Sequence, residues 1–419
     1  MSIPSMKYIL IPLLTLAVFS SQAQTSKKMK PEPAASDYFP PYGHWQAQAP
    51  AALGVNERQL QAAVNYAIAA EVKNPRSMEE NHYRTFGKEP FGEGVGPFAD
   101  RGAPTGLIIY KGYVLAQWGE PQRCDMTHSV TKSFLAATVG LALDRGLIRS
   151  VMDTVAAYVP PIELFTHGEV RRPAEEFGQP MLLYPFASGH NQTITWNDML
   201  RQTSDWEGTL WGKPDWADRP DADAAKWLNR ARNKPGTTYE YNDVRVNALA
   251  LAATMVWRRP LPQVLKENVM DKIGASNTWR WTGYRNAWIV LDGQPVQSVS
   301  GGGHWGGGMF INAWDMARFG LLTMHRGMWS GQRLLSDSFF TMATTPTAAK
   351  PDYGFMNFFL NTDRKFLPDA PATAYCHIGN GTNMVYVDAE HELVVVARWI
   401  ESKAMNDLMK QILAALPAK

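Results

Sequence analysis

Ser129 and Lys132 are the residues whose types and spacing most directly suggest covalent chemistry. They form the only Ser-x-x-Lys in the chain. Residues three apart share a face of a helix, so the amine of Lys132 would point toward the hydroxyl of Ser129. A serine needs a base to become a good nucleophile, and a desolvated lysine can serve as one. Residues 135–143 are almost entirely apolar, which indicates a buried helix and favours this interpretation over a serine N-cap with a solvated lysine.

Two later tripeptides extend this pattern along the chain. Tyr241-Asn242-Asp243 stands directly before a second apolar helix, predicted over 244–257, and His377-Ile378-Gly379 stands near the C-terminal end. The order and spacing of the three motifs resemble the serine β-lactamase and penicillin-binding protein superfamily. The resemblance is closest to the branch related to class C β-lactamases, with its esterases and DD-peptidases, and covers roughly residues 53–417. Each motif is weakly specific alone, whereas the ordered set is strongly specific.

The resemblance implies catalytic roles for Ser129, Lys132 and Tyr241. Ser129 would be the acylated nucleophile, and either Lys132 or Tyr241 would accept its proton. Tyr241 would then donate a proton to the leaving group. Which of the two residues is the base stays open at the level of sequence.

The resemblance also implies a set of groups that bind the substrate. His377 would line the site, and Gly379 would let its strand approach the substrate closely. The backbone N–H groups of Ser129 and Asn380 would form the oxyanion hole, with donors fixed in place before negative charge develops.

Two residues depart from the β-lactamase pattern. Asp243 stands where those enzymes keep asparagine, and a carboxylate can only accept hydrogen bonds, whereas an amide can also donate them. If Asp243 faced the site, its charge would hold Lys132 protonated; alternatively, it is only a helix N-terminal acid paired with the helix dipole. His377 replaces a lysine, which removes a fixed positive charge. Both changes weaken the prediction of an antibiotic hydrolase.

The sequence therefore predicts an exported serine hydrolase that acts through an acyl-enzyme on an ester, amide or peptide bond. The alternative is a weakly catalytic or inactive penicillin-recognising protein that serves as a sensor or scaffold. The expected partner is a small-molecule or peptide substrate, with cell-wall peptides as one class.

Composition limits the other possibilities. The chain has 419 residues, of which 45% are hydrophobic and 19% charged, so it can bury a large core. A net charge of +2 gives no electrostatic case for a nucleic-acid partner. Residues 1–23 have the pattern of a secretory signal cleaved after Ala23, which predicts a periplasmic or secreted protein without a membrane anchor. An uncleaved membrane anchor is the alternative. Residues 24–52, rich in Pro, Ala, Gln and Lys, are predicted to form a flexible arm.

Cysteine and histidine patterns predict neither a metal centre nor a cofactor. Export would permit a bridge between Cys124 and Cys376, but two buried free thiols are the interpretation that the sequence favours. No His-Glu-x-x-His motif occurs, and His304 and His391 lie in glycine-rich or turn segments.

Three tryptophans follow one another in an irregular stretch of the chain. Trp206, Trp211 and Trp216 could form the wall of a pocket, although aromatic residues more often pack in a core or against loops.

Strand patterns at both ends of the chain predict the frame that would hold these groups. Residues 106–110 and 113–118 read as a hairpin, and 384–388 and 393–399 as two further strands. We therefore predict an α+β fold of the β-lactamase/transpeptidase type, an antiparallel sheet flanked by helices with an inserted helical subdomain. The mixed part would comprise roughly 53–128 and 300–417, and the mostly helical part roughly 129–299.

Overall fold

The computed structural model describes residues 38–165, 181–223 and 226–418. The predicted signal peptide and the first part of the predicted arm lie outside these residues. Within them, no helix combines the length and hydrophobicity that a membrane span requires. The described α-helices are, in chain order, α1 (Glu57–Ala69), α2 (Met78–Arg84), α3 (Thr131–Asp144), α4 (Trp196–Leu200), α5 (Asp243–Trp257), α6 (Leu261–Leu265), α7 (Ala313–Met324), α8 (Asp337–Ala343) and α9 (Met405–Ala415).

The strands of the described residues form two main antiparallel sheets and three short two-stranded ribbons. In chain order they are β1 (Thr105–Tyr110), β2 (Tyr113–Trp118), β3 (Asp125–Met126), β4 (Ile162–Glu163), β5 (Leu182–Leu183), β6 (Thr209–Leu210), β7 (Lys213–Pro214), β8 (Arg280–Leu291), β9 (Gln294–Val299), β10 (Gly308–Ile311), β11 (Met328–Trp329), β12 (Gln332–Arg333), β13 (Phe359–Leu360), β14 (Tyr375–Gly379), β15 (Asn383–Asp388) and β16 (Leu393–Arg398).

A six-stranded sheet in the order β13-β14-β15-β16-β1-β2 joins the two ends of the chain. Alternate residues of a strand point to opposite faces, and both faces of this sheet are buried. In β1, Leu107 and Ile109 pack into the core that contains α3, α5 and α7. Ile108 and Tyr110 pack on the other side, against α1 and α9. The sheet therefore lies between two helical layers, which confirms the predicted α+β fold.

A second sheet, in the order β3-β10-β8-β9, supports the segment that carries Ser129. Strand β3 pairs with β10 through Met126 and Phe310, and the chain then enters the turn before α3. Strands β8 and β9 form a long hairpin within 129–299, so that segment is less helical than predicted. The pairing register between β8 and β9 shifts between Gly283 and Trp288, which interrupts the alternation that marks a regular strand.

Residues 38–52, predicted as part of a flexible arm, pack against the folded body instead. The ring of Tyr38 stacks on Tyr113 with centroids 4.6 Å apart. The indole of Trp45 donates a hydrogen bond of 2.7 Å to the carbonyl of Gly112. The aromatic side chains of Tyr38 and Trp45 make these contacts, which could not be predicted from the proline- and alanine-rich composition of the segment.

Candidate active site

Ser129 lies in a tight turn between β3 and α3. The turn is a single 3-10 turn over His128–Val130, closed by a hydrogen bond from the N–H of Val130 to the carbonyl of Thr127. His128 has φ of +47°, which is uncommon for a residue other than glycine. Such conformations persist where the surrounding structure enforces them, often at functional sites. The turn leaves Ser129 partly exposed, so a substrate can reach its hydroxyl.

Lys132 lies on the first turn of α3, on the same side as Ser129. Its side chain is completely buried. The Nζ atom is 3.0 Å from the Oγ of Ser129 and 2.6 Å from Oδ1 of Asp243. The structure thus places the amine and the hydroxyl in contact, at the spacing from which the sequence predicted a catalytic pair.

Tyr241 completes the group around the serine hydroxyl. Its side chain is hydrogen-bonded to Ser129. The Nζ of Lys132 lies 4.6 Å from the centre of the Tyr241 ring, and the guanidinium of Arg219 lies 5.1 Å from it. Burial and the charge of Asp243 raise the pKa of Tyr241 despite Arg219 and the Ser129 hydrogen bond. The free protein therefore holds Tyr241 as a neutral phenol.

Asp243 is the first residue of α5 and lies between two cations. Its Oδ1 contacts Lys132, and its Oδ2 lies 3.0 Å from Nη1 of Arg219. Burial opposes the charge, but Lys132 and Arg219 outweigh it and hold the pKa of Asp243 well below its usual range. Asp243 thus faces the site and holds Lys132 in an ion pair, beyond any effect on the helix dipole.

Gly302 provides the space in which this ion pair forms. A Cβ atom at this position would lie 1.7 Å from Oδ1 of Asp243 and 2.2 Å from Nζ of Lys132. Because no side chain fits there, residue 302 must be a glycine for Lys132 and Asp243 to pair.

A second group of charged residues lies behind Asp243. Asp218 accepts a hydrogen bond from the backbone N–H of Asp243 and contacts Arg219. The Nε2 atom of His304 lies 2.7 Å from Oε2 of Glu89, and its Nδ1 atom lies 3.7 Å from Oδ2 of Asp243. Burial, opposed by Arg219 and reinforced by Asp243, raises the pKa of Asp218 to about 6. Burial lowers the pKa of His304.

Three of these side chains have the spacing of metal ligands. Candidate ligand atoms of Glu89, Asp218 and His304 lie within 4.8 Å of one another. The same groups already bond to one another and to the cation Arg219, which lowers the attraction for a second cation. We therefore assign them to the charge network around Asp243.

The end of β14 contacts the turn of Ser129 through Gly379. A Cβ atom on Gly379 would lie 2.1 Å from the carbonyl oxygen of Thr127 and 3.1 Å from the backbone nitrogen of Ser129. Asn380 follows directly and lines the same small cavity as His128. The two predicted oxyanion donors thus lie on neighbouring segments, and their role stays a prediction.

His377 lies away from the catalytic group. Its side chain is fully buried, and Nδ1 is 2.9 Å from the Oγ of Ser133. The rings of Phe319 and Phe358 pack against it. Burial lowers the pKa of His377 to about 4, so it is neutral at pH 7. Among the described residues, no hydrogen bond links His377 to Ser129, Lys132 or Tyr241, and its contacts are those of a residue that supports α3.

The structure brings together Ser129, Lys132, Tyr241 and Asp243 as the sequence predicted, and adds Arg219 and His304. Arg219 lies in an irregular loop without any motif, so the sequence carried no signal for it. His304 lies in the glycine-rich segment 300–308, and its sequence neighbours do not reveal its burial. The cysteines are both free, with Cys376 buried and Cys124 partly exposed.

Comparisons with known proteins agree with this geometry. The family model described as Beta-lactamase matches residues 117–399, which include all three motifs. No curated protein matches the sequence.

Solved structures share the fold at low sequence identity. A penicillin-binding protein homologue from Caulobacter crescentus has a TM-score of 0.53 and 14% identity, over 87% of this chain and 99% of that one. EstCE1, a hydrolase with promiscuous acyltransferase activity, has a TM-score of 0.52 and 14% identity, over 86% and 98%. A family VIII carboxylesterase has a TM-score of 0.50 and 15% identity, over 86% and 98%. At this identity the likeness establishes the fold alone.

Proposed function

This chain belongs to the β-lactamase family, and from that premise we propose that it is an exported serine hydrolase that cleaves esters through an acyl-enzyme. The observation that carries the proposal is the contact of 3.0 Å between Nζ of Lys132 and Oγ of Ser129, beside the phenol of Tyr241. A hydroxyl held between two groups that exchange protons is the arrangement that nucleophilic catalysis requires.

The reaction would proceed in two steps. Ser129 Oγ attacks the carbonyl carbon of the ester while its proton passes to the pair formed by Lys132 and Tyr241. The carbon–oxygen bond of the ester then breaks, and Tyr241 returns a proton to the departing alcohol. Water hydrolyses the acyl-enzyme by the same route in reverse and regenerates Ser129.

The charges of the site support an ester substrate over a β-lactam. Both oxygens of Asp243 bind cations, so this side chain offers no donor to a substrate carbonyl. His377 is neutral and buried behind α3. The site therefore lacks an amide donor at residue 243 and a fixed cation at residue 377.

Intact-protein mass spectrometry tests the proposal. The purified chain is mixed in turn with a fluorophosphonate probe, p-nitrophenyl butyrate and benzylpenicillin. We expect one probe adduct, rapid release of p-nitrophenol and no lasting penicillin adduct. The Ser129→Ala variant should lose both labelling and turnover. Ser133→Ala is the matched control, because this buried serine of the same segment contacts His377 and should leave labelling intact.

The same measurement separates the alternatives. A lasting penicillin adduct on Ser129 without ester turnover would favour a penicillin-recognising sensor. The absence of any adduct would refute the catalytic role of Ser129. For the proposed export, the mass of a chain expressed with its N-terminal segment should correspond to cleavage after Ala23.

A further inference from the structure

A cavity of about 230 Å³ lies beside Tyr241, outside the catalytic group itself. Arg219, which lies against the ring of Tyr241, forms part of its lining. Glu240, the residue directly before Tyr241, also lines it. The cavity therefore adjoins the residue that would protonate the leaving group. A larger cavity, beside Trp45 and Arg318, is lined by no residue of the catalytic group.

Two tryptophans give this cavity an aromatic wall. The rings of Trp216 and Trp227 stack with centroids 4.5 Å apart and an interplanar angle of 17°. Phe91 packs edge-on against Trp216, and the indole N–H of Trp227 donates to the carbonyl of Asp221. Phe91 thus holds Trp216 in place, and the hydrogen bond to Asp221 holds Trp227. Trp206 and Trp211, by contrast, belong to the core.

The charged groups of the cavity cancel one another. Each cationic side chain in its lining forms an ion pair with an acidic one of the same lining: Arg219 with Asp218, Lys226 with Asp221, and Arg230 with Glu240. Because no net charge remains, the cavity has no preference for an ionic ligand and selects by shape and aromatic contact.

The size of the cavity suits a single aromatic ring. An apolar cavity of about 150 Å³ is known to hold benzene. Aromatic rings prefer offset-stacked or edge-on contacts with other rings, which the wall of Trp216 and Trp227 can provide.

We propose that this cavity is the leaving-group subsite and that it takes a neutral aromatic alcohol. The inference rests on the proposed function. In acylation, Ser129 Oγ forms a bond to the acyl carbon, the bond from that carbon to the alcohol oxygen breaks, and Tyr241 supplies the proton of the released alcohol. The aromatic ring of that alcohol lies against Trp216.

Two pairs of esters test the subsite, one pair differing only in the alcohol and the other only in the acyl group. The ratio of kcat/KM for benzyl butyrate over ethyl butyrate should fall about tenfold in Trp216→Ala, as expected for one lost aromatic contact with its buried area. The ratio for ethyl phenylacetate over ethyl butyrate, which places the ring on the acyl side, should keep its wild-type value. Trp279→Ala, at a partly buried tryptophan outside this cavity, is the matched control and should preserve both ratios.

A binding measurement makes the test independent of turnover. Benzyl alcohol should bind the wild-type protein in ligand-observed NMR, and Trp216→Ala should weaken that binding about tenfold. Absence of wild-type binding, or a Trp216→Ala effect confined to the phenylacetate, would overturn the subsite. If benzyl alcohol binds while no ester is cleaved, the cavity stands as a site for aromatic alcohols, whereas the proposed function and the leaving-group role both fail.

Discussion

Asp243 influences the protonation of Tyr241, one of the proposed catalytic residues. Lys132 and Tyr241 both contact the hydroxyl of Ser129, and both lie close to this carboxylate. Burial and the negative charge of Asp243 raise the pKa of Tyr241 and favour its neutral phenol. If Tyr241 is the base, it must lose its proton before it can accept that of Ser129, so activity should rise with pH.

The Asp243→Asn variant should move this rise to lower pH. Losing the carboxylate removes a negative charge that raises the pKa of Tyr241, so the phenolate forms at lower pH. A charge at this distance typically changes a neighbouring pKa by about one to three units. The measurement is kcat/KM for p-nitrophenyl butyrate between pH 6 and pH 10.

Asp243→Glu is the control for this variant, because it keeps the charge and should keep an alkaline profile even if activity falls. A profile of Asp243→Asn identical to that of the wild type would contradict the role given to Asp243. A stability measurement accompanies both variants, since removing one partner of a buried ion pair typically costs about 3–5 kcal/mol.

At the scale of residues, the sequence predicted those contacts that form between residues close together in the chain. Ser129 and Lys132 share one helical turn, so a pattern of three residues sufficed to predict their contact. Arg219 and His304 reach Asp243 through tertiary packing from loops, which no local pattern encodes. His377 matched a family motif, yet the burial of its ring beneath α3 follows from packing alone.

At the scale of elements, the contact between β14 and the turn of Ser129 sets the position of the nucleophile. Gly379 allows that contact because it has no Cβ. Gly379→Ala would place a methyl group 2.1 Å from the carbonyl of Thr127 and separate the strand from the turn. A displacement of about 1 Å in an active site can cost about 10²-fold in rate, so we expect kcat for p-nitrophenyl butyrate to fall by that order.

Gly189→Ala is the matched control for this substitution, because nothing lies within 4 Å of the position that its new Cβ would occupy. It should keep wild-type turnover and melting temperature. Wild-type turnover in Gly379→Ala would mean that β14 does not position the Ser129 turn. Loss of the fold in Gly379→Ala, measured by circular dichroism, would show instead that the contact is needed for stability.

The elements themselves were predictable where one periodicity continued without interruption. Strands β1, β15 and β16 are buried along their whole length, because both faces of the sheet are covered. Strand β8 was missed because its register shifts after Gly283 and exposed residues interrupt its pattern. The packing of residues 38–49 depends on Tyr38 and Trp45 finding partners far away in the sequence, which composition does not show.

At the scale of the whole molecule, buried histidines couple stability to pH. Burial lowers the pKa of both His128 and His377 from 6.5 to about 4. Between about pH 6.5 and pH 4, these two histidines bind protons in the unfolded chain but not in the folded protein. The free energy of unfolding therefore decreases as the pH falls through this range. Asp218 acts in the opposite direction, since its raised pKa lets the folded protein gain a proton near pH 6. Burial also lowers the pKa of His82, His304 and His325, and Asp315 is a second carboxyl group whose pKa burial raises. With five histidines against these two carboxyl groups, we expect a net loss of stability on acidification.

His377→Asn isolates one histidine from this balance. Between pH 7 and pH 5, a change in pKa from 6.5 to about 4 accounts for about 2 kcal/mol of the free energy of unfolding. The variant is expected to be less stable at pH 7, because it loses the packing around the ring, but its stability should fall by about 2 kcal/mol less than that of the wild type between these pH values. Urea titrations at both pH values measure the difference, with the exposed His44→Asn as control. Equal losses in the variant and the wild type would mean that burial does not lower the pKa of His377 in the folded protein.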